Sequence, residues 1–109
     1  MKHDIATYQL FFGSLANPNR LKIVNLLREQ GELNVSQICE LTTFEQTRVS
    51  HNLKRLETCG MVHKRSEGKH RFYSINKESI APLMKLIDTH MHKYCEHVLS
   101  KENKNHCNK

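Results

Sequence analysis

Apolar side chains recur along this chain at two different spacings, and the change from one to the other divides it. Ile5, Tyr8, Phe11, Phe12 and Leu15 fall at helical spacing and predict a first amphipathic helix. Asn17-Pro18 marks a second start: the Asn side chain can cap, and Pro occupies a first position where its missing N–H costs nothing. Leu21, Ile23, Val24, Leu26 and Leu27 carry that helix to Gly31. Leu33-Asn34 reads as a short extended link. Ser36 then caps a short helix running through Leu41, with Glu40 near the capping-box position, and Thr42-Thr43 breaks it. The next helix spans 44–58 with Val49, Leu53 and Leu56 inward, and stops at Cys59-Gly60. The spacing there drops to two. Residues 61–66 and 70–75 predict two strands joined around Glu67-Gly68-Lys69, the second with Phe72 and Ser74 on one side and Arg71, Tyr73 and Ile75 on the other. A turn over 77–81 leads to a last helix over 82–99.

The order α-α-(β)-α-α-β-β-α, two helices about a tight turn followed by a two-stranded hairpin, predicts a mostly α chain with a small β-hairpin wing, an α+β winged helix-turn-helix. At 109 residues it predicts one domain over 1–99, with a flexible tail over 100–109, where apolar periodicity is lost. A domain of this size buries only roughly 60–70% of its unfolded surface. Tyr8, Phe11 and Phe12 on the first helix, with Ile87, Tyr94 and Val98 on the last, offer more apolar surface than one small core can take. The terminal helices are therefore read as the faces of a homodimer.

Composition removes several classes. With 38% hydrophobic and 26% charged residues the chain is not disordered, and no run approaches the ~18 apolar residues of a membrane span. The N-terminal stretch has an acid inside it and no small-residue cleavage site, so a cytoplasmic protein without membrane association is expected. The cysteines at 39, 59, 95 and 107 form no C-x-x-C pair, which argues against a zinc ribbon and for thiols. With four glycines in all there is no phosphate-cradling loop, nor a carboxylate pair at a strand end, so no enzyme is expected.

Charge then sharpens the reading. Eight of the 17 Lys and Arg lie between positions 44 and 77, against three acids, Glu45, Glu57 and Glu67. The helix over 44–58 exposes Gln46, Thr47, Arg48, Ser50, His51, Lys54 and Arg55. Gln and Arg can bond adenine and guanine edges in pairs, while Ser and Thr serve bases or phosphates. The hairpin adds Lys64, Arg65, Lys69 and Arg71, with His70, suited to tracking phosphates. The seven helix positions and Lys64, Arg65, Lys69 and Arg71 of the hairpin are the candidate contacts to double-stranded DNA. A solvated helix face is the plainer account of the first set. A winged-helix module that binds protein instead of DNA is the alternative function, and a neutral or acidic helix would have favoured it.

The same segments resemble the ArsR/SmtB family of small dimeric repressors. LANPNRLKIVNLL resembles the start of its second helix, ELNVSQICELT its support helix, FEQTRVSHNLKRLETCGMV its recognition helix, and HKRSEGKHRFYSI its wing. Val49-Ser50-His51 with Leu53 is the most specific part. The resemblance implies a homodimeric repressor that reads an inverted-repeat operator and leaves it when an effector binds. It also implies a structural place for Arg20 near the core.

The effector is open. On an ideal last helix, Leu83, Ile87, Tyr94 and Val98 form an apolar stripe, flanked by His90 and His97 on one side and by Asp88 and Cys95 on the other. Solvated or interface histidines account for this. The resemblance implies a second reading, a divalent transition metal such as zinc at Asp88 and His90, for which this chain offers Cys95 and His97 as further ligands, with His106 or Cys107 folding back. Asp88-Thr89-His90 matches half of the family's ligand pattern, whereas Lys101 and Lys104 stand near the other half. It also implies a third, a redox pair of Cys39 and Cys95. The family's soft-metal sensors carry Cys-x-Cys where this chain has Asn34-Val35-Ser36.

Overall fold

The computed structural model describes residues 2–95. The chain divides into two compact units, Met1–Asn76 and Lys77–Lys109. Expectations that fall on His97, Val98, His106, Cys107 and the tail over 100–109 lie outside the described residues.

The first unit opens with α1 (Ile5–Leu15), capped by Asp4, whose carboxylate accepts the Thr7 N–H at 2.9 Å. That partner holds the Asp4 carboxyl below its ordinary range. Helix α2 (Pro18–Gln30) begins as expected: Asn17 Oδ1 accepts the backbone N–H groups of Asn19 and Arg20 at 2.9 and 3.1 Å. It ends at Gly31, whose φ of 82° only glycine adopts freely and whose N–H closes on the Leu27 carbonyl.

The link at Leu33–Asn34 is a paired strand, β1. It runs antiparallel to β3 (His70–Ile75), which pairs on its other side with β2 (Val62–Glu67), giving the order β1-β3-β2. The expected hairpin is therefore two strands of a three-stranded sheet. Helices α3 (Val35–Thr42) and α4 (Gln46–Thr58) complete the unit.

Two sequence expectations are corrected here. The cap of α3 is Asn34 instead of Ser36, and its capping-box partner is Gln37 instead of Glu40: Asn34 Oδ1 accepts the Gln37 N–H at 2.8 Å and Gln37 Oε1 accepts the Asn34 N–H at 2.9 Å. Pairing of Asn34 with Phe72 holds Asn34 extended, and the helix can start only after it. Helix α4 starts at Gln46, two residues late, because Thr43 ends α3 in the left-handed region at φ 63° and the chain needs Phe44 and Glu45 to turn.

The core lies under the α3–α4 pair. Ile23, Leu27, Ile38, Val49, Leu53 and Leu56 are fully buried, each contributing roughly 1.5–3 kcal/mol by burial. Met61 and Val62 carry the core into the sheet, and Tyr73 and Ile75, on one side of β3, are buried.

In the second unit, α5 (Ile80–His90) starts two residues earlier than expected. At Met91–Cys95 the α-helix gives way to a π-helical turn.

Candidate nucleic-acid interface

Helix α4 presents three faces. Val49, Leu53 and Leu56 go into the core, and Asn52 goes with them, only 5% exposed. Sequence reading missed that burial, since nothing local distinguishes Asn52 from its solvated neighbours. Gln46, Thr47, Arg48, Ser50, His51, Lys54 and Arg55 are all exposed, as expected. They do not share one surface. Gln46, Ser50 and Lys54, four apart, turn toward the hairpin, while Thr47 and His51 form the next row. Arg48 turns the other way and stacks on Phe44, its guanidinium carbon 5.4 Å from the ring centre. Arg55 turns toward α1, where its Nε donates to Ser14 Oγ at 3.2 Å.

Between α4 and the sheet lies a groove of about 530 Å³. Its walls are Gln46, Ser50, Lys54 and Glu57 of α4, Lys64, Lys69, His70, Arg71 and Tyr73 of the hairpin, and Asn34, Val35 and Ser36 at the start of α3. Six of the expected contacts, Gln46, Ser50, Lys54, Lys64, Lys69 and Arg71, thus meet around one depression. Lys64 sits 3.7 Å from the carboxylate of Glu57. Lys54, Lys69 and Arg71 have no ion pair among the described residues. Burial raises the Tyr73 hydroxyl pKa, Glu57 adds to the rise and Arg71 opposes it, so the phenol stays a neutral hydrogen-bonding group at the groove floor. Ser36, Glu57 and Tyr73 were not foreseen as lining residues. The strand alternation held the signal for Tyr73, which shares its side with Arg71.

Arg65 occupies a different position from the other hairpin cations. Its guanidinium grips Glu32 through two nitrogens, at 2.8 and 3.2 Å, bonds Glu67 at 2.7 Å and stacks on Phe72 at 4.7 Å. Two carboxylates hold it all the more firmly protonated. Its charge faces carboxylates on both sides, one in the wing and one just before β1.

The candidate effector residues are less concentrated. Among the described residues, no group of three or more His, Cys, Asp or Glu side chains comes together as a metal shell. Asp88 and His90 lie on α5 and Cys95 ends the π turn, so the flank that an ideal helix would give Asp88 and Cys95 is not kept. His90 stacks with Tyr94, ring centres 5.1 Å apart. Cys39, Cys59 and Cys95 are free, half-buried thiols. No helix among the described residues is long and apolar enough to cross a membrane.

Comparison with known proteins agrees with this geometry. The family model for bacterial regulatory proteins of the arsR family matches residues 17–64. The chain is 35% identical over 77 residues to an HTH-type transcriptional regulator of Methanocaldococcus jannaschii, covering 71% of this chain and 86% of that protein. It is 38% identical over 76 residues to the transcriptional repressor PagR of Bacillus anthracis, covering 69% and 75%. Among solved structures, the homodimeric winged helix-turn-helix DNA-binding domain of a possible ArsR-family regulator from Mycobacterium bovis superposes with a TM-score of 0.76 at 34% identity, covering 85% of each chain.

Proposed function

The chain belongs to the ArsR family of bacterial regulatory proteins, whose members are transcriptional regulators and not enzymes, and from that premise we propose that it is a homodimeric repressor reading an inverted-repeat operator. The groove between α4 and the hairpin carries this reading. Lys54, Lys69 and Arg71 stand around it without a carboxylate partner among the described residues, and Gln46 and Ser50 lie beside them with hydrogen-bonding side chains directed outward. A strip of cations with adjacent amide and hydroxyl groups suits a phosphate backbone with base edges next to it.

Dimerisation rests on α1. Ile5, Leu10 and Phe12 are 72%, 57% and 59% exposed, and a soluble chain gains by covering them. A two-fold pair of α4 helices would meet half-sites about one helical turn apart.

The test is a binding series with a duplex selected by the protein from a random pool and with bulk random-sequence DNA, across a salt gradient. The selected duplex should bind two protomers, at least a thousandfold tighter than random DNA, with affinity falling steeply as salt rises. Binding indifferent to salt, or one protomer per duplex, would refute the proposal.

A further inference from the structure

Arg55 looks like a DNA contact in sequence, being a cation on the exposed side of the recognition helix. We propose that it is a positioning residue: with Arg20 it clamps the last turn of α1 to α4, acting through the buried hydroxyl of Ser14. The inference rests on the reading of α4 as the DNA-reading helix.

The geometry is a polar knot within the first unit. Ser14 is 0% exposed, and its Oγ accepts from Arg55 Nε at 3.2 Å and from the Cys59 thiol at 3.2 Å. From α2, the Nε of Arg20 donates to the Ser14 carbonyl, and a terminal nitrogen reaches the Gly13 carbonyl at 3.4 Å. The other terminal nitrogen of Arg20 donates to Asn52 Oδ1 at 3.3 Å, and the amide nitrogen of Asn52 donates to the Arg48 carbonyl at 2.9 Å. The two arginines thus span from the end of α1 to the middle and end of α4.

The chemistry explains why arginines do this. The last carbonyls of a helix have no partner within it and carry partial negative charge. Helix α1 has no basic residue in its own last turn, so Arg20 of α2 fills that role at the Gly13 and Ser14 carbonyls, while Arg55 of α4 bonds the Ser14 hydroxyl beside them. A guanidinium can bond several acceptors at once in a fixed plane, which a lysine cannot. No buried side-chain nitrogen or oxygen among the described residues lacks a partner, so the knot is closed. Arg55 is turned away from the groove: it is absent from the groove walls, and its Nε is bonded at Ser14. On the same α1, Ile5 and Phe12, seven apart, share an exposed face away from Ser14, so the clamp ties α4 to a surface suited to a second protomer.

Positioning and phosphate contact leave different marks. Random-sequence binding depends on charge and its salt slope counts phosphates, whereas selected-sequence binding also needs α4 at the right angle. Full-length Ser14→Ala, Arg55→Met, the double variant and Lys54→Ala are compared on the selected duplex and on random DNA. The proposal expects Ser14→Ala and Arg55→Met each to weaken the selected duplex about tenfold, a loss within that of one misplaced base contact. Their salt slopes and random-DNA affinities should stay near wild type, and the double variant should be no worse than either single one. Lys54→Ala should flatten the slope by about 0.9. The proposal is overturned if Arg55→Met flattens the slope like Lys54→Ala while Ser14→Ala binds as wild type, or if the two losses add. If Arg55→Met does not fold, Ser14→Ala decides alone, because a pure phosphate contact by Arg55 predicts no loss there. A wild type that selects no duplex would remove the DNA reading, and this inference with it.

Discussion

Thr43 is the one described non-glycine residue with positive φ, and it stands at the turn between α3 and α4. A β-branched side chain is disfavoured there, yet the site needs that conformation because the Thr43 N–H closes α3 on the Cys39 carbonyl at 2.8 Å. Thr43→Gly should raise stability by about 0.5–1 kcal/mol, the relief of strain outweighing the entropy glycine loses on folding. Urea denaturation should show a higher midpoint with an unchanged slope; an unchanged or lower midpoint would mean the Thr43 hydroxyl, bonded to the Thr42 carbonyl, outweighs the strain. Sequence carried part of this residue-scale detail. Asn17, Pro18 and Gly31 act locally and were legible. Asn34 was not distinguishable from Ser36 as a cap, because what decides between them is a strand partner far along the chain. Asn52 was hidden for the same reason: Arg20, its partner, comes from another helix.

At the scale of elements, the periodicities of α1 to α4 and of the hairpin were legible because each element repeats its own spacing long enough to be seen. The site was legible as a set of exposed residues, but not as a surface. Which of them meet across the groove depends on how the hairpin lies against α4. The π turn at Met91–Cys95 left no periodic trace, so a projection at the α-helical angle does not hold within it. The wing shows what such placement changes. Arg65 and Lys69 are equivalent in sequence, but Arg65 is held by Glu32 and Glu67 while Lys69 lines the groove. Lys69→Ala should flatten the salt dependence of DNA binding by about 0.9, and Arg65→Ala should leave it nearly unchanged. Exposed ion pairs contribute only about 0–1 kcal/mol, so Arg65→Ala should also fold normally. Equal slopes for the two variants would show that Arg65 leaves its carboxylates on DNA.

At the scale of the whole molecule, the two-residue strand β1 matters beyond its length. Leu33 pairs with Tyr73 and Asn34 with Phe72, so the segment between them, holding α3, α4 and β2, is a loop tied at its base. Once the ends of such a loop are joined, its interior gives up much of its freedom to open piecemeal. Helix α4 and the wing should therefore open as one cooperative unit, and the protein should have no state with a melted wing and an intact α4. Native-state hydrogen exchange can see this. Backbone amides of Val49–Leu56 and those of β3 should report the same opening free energy, with the same dependence on added denaturant. If the β3 amides instead exchange through a much smaller opening while α4 stays protected, the strand ties nothing, and the wing folds as an independent appendage.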